Sequence, residues 1–135
     1  MDTANSKVDW WCEVSIRICH ACLDPTAVSE LLDSTPHIAQ HPGETRIPHG
    51  NCRSAGYWCL EHRVGAPDRP SVSILWAEEF VKSRETQFGQ LLENGFDVNV
   101  YIGVFSNVLA LGFDMPPTPT IWKMGIPLGI EFFSK

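Results

Sequence analysis

Two stretches of this chain alternate apolar and polar residues with a period of two, and that pattern demands a sheet with one buried face. In the first, Cys12, Val14, Ile16 and Ile18 fall on one side, with Glu13, Ser15 and Arg17 on the other. In the second, Val98, Val100, Ile102 and Val104 share a side. A strand turns successive side chains to opposite faces, so each pattern describes a half-buried strand. A third extended stretch, 57–63, sets Trp58, Leu60 and His62 against Cys59, Glu61 and Arg63. No charged residue occurs from Asn99 to Phe113. This predicts a central hairpin, with 108–113 returning beside 98–105 through a tight Ser106-Asn107 connection. Residues 126–133 read as the last strand.

Between these strands the apolar spacing changes to that of helices. Asp24 is a capping residue and Pro25 suits the first helical position, ahead of the stripe Val28, Leu31 and Leu32. Over 72–93, Ile74, Ala77, Val81, Phe88, Leu91 and Leu92 recur at three to four residues. Arg84 interrupts that stripe and predicts a break near 83–86, and Asn94-Gly95 predicts the stop. Thr120 to Met124 form one or two turns closed by Gly125. Residues 1–7 read as disordered. Residues 35–56 read as a long loop holding His37, His41 and His49, with a short extended piece near Thr45–Ile47. The outline is β-α-β-α-β-β-α-β in one domain over 1–135. It predicts an α+β fold: a mostly antiparallel five-stranded sheet, two or three helices on one face, and a topology related to the ferredoxin-like one.

Composition narrows the function classes. Lys plus Arg number 10 against 16 Asp plus Glu, a formal charge of −6. A protein that binds nucleic acid by neutralising phosphates needs the opposite balance. Apolar runs such as 100–105 fall far short of the roughly 18–20 residues of a membrane span. The first residues lack the basic-then-apolar pattern of an export signal, which predicts a cytoplasmic protein. Five cysteines, an odd number, argue against a disulfide framework there.

Cysteine spacing offers a metal site. Cys19 and Cys22 are separated by two residues, which lets both thiolates reach one tetrahedral ion, and Cys52 and Cys59 would complete a zinc site. The competing reading makes these cysteines packed thiols. As a redox pair, Cys19 and Cys22 sit about one turn ahead of where a helix N-terminus would activate them. Nucleophilic chemistry has little to stand on, because His62 faces away from Cys59 and Glu61, and no nucleophile elbow, phosphate loop or dinucleotide fingerprint occurs. Arg46 and Arg53 fall in the histidine-containing loop.

The tryptophans point to binding without catalysis. Trp58 and Trp10 match core positions, whereas Trp11 falls on the polar face beside Glu13, Trp76 lies at the edge of its helical stripe, and Trp122 is on a short terminal segment. Exposed aromatics are favoured at protein interfaces. Acidic residues Glu30, Asp33, Glu78 and Glu79 would complement a basic partner. Trp11, Trp76, Glu78 and Glu79 are therefore the interaction candidates, with packing as the competing role. A zinc-supported or small-ligand domain is the alternative, and an enzyme of unrecognised class is third.

The order of motifs also carries a resemblance. Leu23-Asp24-Pro25 leads into Val28, Leu31-Leu32 and Pro36; Gly43-Glu44 and Gly56-Tyr57-Trp58 follow; the chain closes with Met124-Gly125-Ile126-Pro127-Leu128-Gly129-Ile130. Over residues 10–133 this resembles the bacterial domain of unknown function, family 4279. The resemblance implies a small bacterial α+β domain with no established activity, since none of these motifs is catalytic. Some similar small acidic domains are immunity proteins to polymorphic toxins, so by analogy it implies toxin neutralisation. The cysteines and the tandem Trp10-Trp11 are unusual for the family.

Overall fold

The computed structural model describes residues 9–45, 54–66, 68–107 and 115–134. In chain order its elements are β1 (Trp10–His20), α1 (Pro25–Leu32), β2 (Ile38–Gln40), β3 (Gly56–Gly65), α2 (Pro70–Lys82), α3 (Glu85–Glu93), β4 (Asp97–Ser106), α4 (Pro119–Lys123) and β5 (Leu128–Ser134). The fold is α+β, with an open sheet of five strands ordered β2-β3-β1-β4-β5. The first alternating stretch takes the middle place and pairs antiparallel with β3 on one side and β4 on the other. β2 is antiparallel to β3, but β5 runs parallel to β4.

The sheet is therefore mixed, where the sequence predicts a mostly antiparallel one. The chain leaves β4, makes α4 and re-enters beside β4 in the same direction, as a crossover connection does. β4 is flanked by β1 from Asp97 to Ser106 and by β5 from Val100 to Ser106. The return strand expected over 108–113 lies outside the described residues. A second difference is β2, three residues within the expected loop, ahead of the extended piece placed near Thr45–Ile47. Three residues are too few to show a period.

The helices gather on one face. Cys12, Val14, Ile16 and Ile18 of β1 are fully buried there, beside Val100, Ile102 and Val104 of β4 and Trp58 of β3. Ile74, Ala77 and Val81 of α2 and Phe88 of α3 close over them. Capping follows the local sequence: Asp24 accepts the Thr26 N–H at 3.1 Å, with Pro25 in the first turn of α1. The break between α2 and α3 falls at Ser83-Arg84. There Arg84 donates from Nε to the Leu32 carbonyl at 2.6 Å and from Nη1 to that of Phe80 at 3.4 Å. One cation thus serves the C-terminal ends of two helices, where carbonyls lack partners. Gly95, at φ +80°, ends α3, with Phe96 donating back to Leu91 at 3.0 Å. Gly56 has no room for a side chain, since a Cβ there would stand 2.0 Å from the Leu23 carbonyl oxygen. No helix among the described residues is long and apolar enough to cross a membrane.

Candidate functional site

The odd-numbered residues of β1 and β4 point away from the helices, and what they build is the open face of the sheet. The register aligns Gly65, Trp11, Phe105 and Phe133 in one row across β3, β1, β4 and β5. Trp11 and Phe105 stack with centroids 3.9 Å apart, and Phe105 and Phe133 stack at 4.7 Å. The interplanar angles are 12° and 13°, so the rings form one continuous stack. Arg63 closes its inner end, its guanidinium carbon 4.2 Å from the Trp11 ring centre. Gly103 makes room for this. A Cβ there would meet the Phe105 ring at 3.2 Å and the Tyr101 ring at 3.6 Å.

Charges frame the stack. Arg63 donates from Nη2 to Glu13 at 2.7 Å, and the Tyr101 hydroxyl donates to Glu131 at 2.5 Å. Arg17 lies over the Tyr101 ring at 4.2 Å, and its Nε is buried with no hydrogen-bond partner. Burial, and then the charge of Glu13, raises the Glu61 carboxyl above its ordinary value. The same face carries Asp97 opposite Cys19. Glu13, Glu61, Asp97 and Glu131 thus stand against Arg17 and Arg63, an acidic balance on a surface built of rings.

The expected interaction residues divide between the two sides of the sheet. Trp11 is on the open face, half-buried. Trp76 is on α2, beyond the opposite face, where it stacks on His62 at 5.0 Å. Glu78 is 5% exposed and holds α4, accepting the N–H groups of Thr120 and Ile121 at 3.1 Å. It therefore serves as an anion at a helix N-terminus instead of a surface charge. Glu79 is exposed. These four residues make no common patch.

Of the expected metal ligands, Cys19 and Cys59 meet in a small buried cluster with Tyr57 on the open face. Cys22 is exposed in the turn after β1, and its N–H donates to His20 Nδ1 at 3.0 Å. Cys52 lies outside the described residues, as do Arg46, Arg53 and His49. Among the described residues no three His, Cys, Asp or Glu converge on a point where they could hold a metal ion. Burial pushes the Cys59 thiol up to about 11.

One contact resembles a catalytic pair. His62 Nδ1 lies 2.7 Å from Ser73 Oγ. Ser73 is fully buried on the inner side of α2, so its hydroxyl cannot reach a substrate carbonyl. Burial also lowers the His62 pKa. The pair therefore reads as a hydrogen bond tying β3 to α2.

Tyr101, Phe105, Phe133, Arg17 and Arg63 carry the open face; the alternation places Arg17 and Arg63 on the polar sides of their strands, and no sequence pattern gives any of the five a binding role. For Tyr101 and Phe105 the signal is the set of odd positions in 97–106, masked by how uniformly apolar the even ones are. Comparison with protein-family models, with curated proteins and with solved structures finds no match to this chain.

Proposed function

We propose that this chain is a protein-interaction domain that works without catalysis, and that its partner docks on the open face of the sheet. The observation that carries the reading is the Arg63–Trp11–Phe105–Phe133 stack. Aromatic rings and arginine supply most of the binding energy at protein interfaces, and a rigid stack loses little freedom on docking. Four carboxylates against two arginines on that face favour a basic protein over a nucleic acid. The reading is immunity-like: an acidic domain covers the cationic working surface of a toxin. It fits a cytoplasmic bacterial protein similar to the family 4279 domain. A ferredoxin-like arrangement of the first four strands, supported by the order β2-β3-β1-β4 with antiparallel neighbours, belongs to the same proposal.

The test is affinity capture from cells of the source organism, with identification of the retained protein. The expected result is a basic protein whose retention falls with Phe105→Glu or Trp11→Glu and persists with Glu79→Lys on α2. Equal loss with all three variants would overturn the reading. So would binding of a single-stranded oligonucleotide to the open face.

A zinc-supported domain is the second reading, favoured by the shared cluster of Cys19 and Cys59. It requires Cys22 and Cys52 to complete the donor set. Metal content of protein purified without a histidine tag decides it: one zinc per chain, lost on Cys19→Ser, supports this reading, and no zinc removes it.

A further inference from the structure

Among the described residues, the lane that β5 occupies beside β4 is unpaired at one end. β5 pairs with β4 from Leu128 opposite Val100 onward, so Asp97, Val98 and Asn99 extend beyond it. Val100 donates its N–H to the Pro127 carbonyl at 2.9 Å, which fixes which residues of β4 address that lane. Backbone groups alternate sides along a strand, so Val98 turns its N–H and C=O the same way. Continuing the register would place Pro127 to meet the Val98 carbonyl, and proline has no N–H to give. The chain turns away instead at Gly125, φ +69°. Among the described residues nothing bonds to Val98 from that side.

A cleft of about 490 Å³ fills this position. That volume lies within the range of small-ligand sites. Leu92, Phe96 and Pro127 give it apolar walls, while Asp97 and Asn99 supply polar groups. Among the described residues no Lys or Arg lines it, and the Asp97 carboxylate is the charged group there. The cleft thus offers a carboxylate, a backbone donor and acceptor spaced for a strand, and a greasy wall.

We propose that this cleft binds the free N-terminus of a peptide. The α-ammonium lies on Asp97, the first peptide amide takes the open ladder position at Val98, and an apolar first side chain packs on Leu92 and Phe96. The ligand extends the sheet in the manner of β-strand addition, with terminal-amine capture at one end. This site is separate from the aromatic stack and does not depend on the open-face reading.

The test uses leucyl-glycinamide and its N-acetylated form, titrated into the ¹⁵N-labelled full chain and followed by amide chemical shifts. Expected are saturable shifts at Val98, Asn99 and Gly125 with the free amine, and affinity weaker by about tenfold or more for the acetylated form. Asp97→Asn, an exposed position that leaves the sheet intact, weakens the free amine by a similar factor. Absence of saturable shifts at these amides overturns the proposal. Equal affinity for both forms, or an unchanged affinity in Asp97→Asn, overturns it as well.

Discussion

On β1 the side chains turned toward the helices are Cys12, Val14, Ile16 and Ile18, all at 0% exposure, while their neighbours Trp11, Glu13 and Arg17 keep contact with solvent. One strand thus makes two surfaces of different kinds. The helix side is closed by shape, with aliphatic groups packed under α2 and α3. On the open side no helix among the described residues packs over the Trp11–Phe105–Phe133 row, and the backbone there is covered by rings lying flat on one another and guanidinium groups lying on rings. Dispersion and burial hold the first, and directional contacts hold the second. A surface of the second kind survives without a partner and still has apolar area to offer one.

The two faces each hold a tryptophan, and exchanging them for alanine gives the largest contrast. Trp58 is fully buried and donates from Nε1 to Ser29 Oγ at 3.0 Å. Trp58→Ala should cost about 3–5 kcal/mol of folding stability, as large aromatic truncations in cores do. Trp11→Ala loses one stack and one cation–π contact, about 1–2 kcal/mol together. Urea unfolding of both variants reads the difference. Equal costs would mean that the open face is as closed as the helix face, and the docking reading would lose its surface.

The same contrast holds between adjacent residues of α2. Glu78 points inward and accepts two backbone N–H groups of α4, whereas Glu79 points to solvent. Glu78→Ala leaves those buried donors unmet and should cost about 2–3 kcal/mol. Glu79→Ala should stay within about 0.5 kcal/mol. A small effect at Glu78 would show that α4 frays to water without loss to the sheet.

Glu61 and His62 are neighbours on β3 and point to opposite faces, and burial disfavours the charged form of both. For Glu61 the folded pKa is raised above the ordinary 4.5, so the folded state holds the proton more tightly. Stability therefore falls as pH rises from 4.5 through the raised value. For His62 the folded pKa lies below 6.5, so the unfolded state takes the proton first. Stability falls as pH drops below 6.5. Unfolding followed across the acid and neutral range should show Glu61→Gln flattening the first slope and His62→Gln the second. A variant that changes neither slope would show that water reaches both faces alike.

The helix face was legible in the sequence and the open face was not. Period-two alternation in 12–18 and 98–104, the Asp24-Pro25 start and the Arg84 break are local, and each appears where its physics places it. The open face is assembled from four strands whose register is set by packing elsewhere. Trp11, Phe105 and Phe133 lie far apart in the chain: the antiparallel pairing of β1 with β4 brings the first two together, and β5 entering parallel to β4 adds the third. No local pattern encodes that direction. The room for the rings comes from Gly103, an unremarkable glycine in a run of apolar residues. Glu78 and Glu79 look alike in sequence because what separates them is α4, which arrives 42 residues later.

Thiol chemistry gives the smallest perturbation and the finest comparison. Cys12 on the helix face and Cys59 on the open face are both pushed up to about 11 by burial. Near neutral pH neither carries appreciable thiolate, the form that attacks alkylating reagents. Brief treatment with iodoacetamide followed by peptide mapping should label exposed Cys22 and spare both. At longer times labelling requires local opening, and the two thiols then report the opening of the two faces separately. Cys59 should react before Cys12, because α2 and α3 pack over the face that holds Cys12 and not over the face that holds Cys59. Simultaneous labelling of the two would mean that both faces open only with global unfolding. If the open face docks a partner, adding it should slow Cys59 and leave Cys12 unchanged, which separates cover of one face from stabilisation of the whole fold.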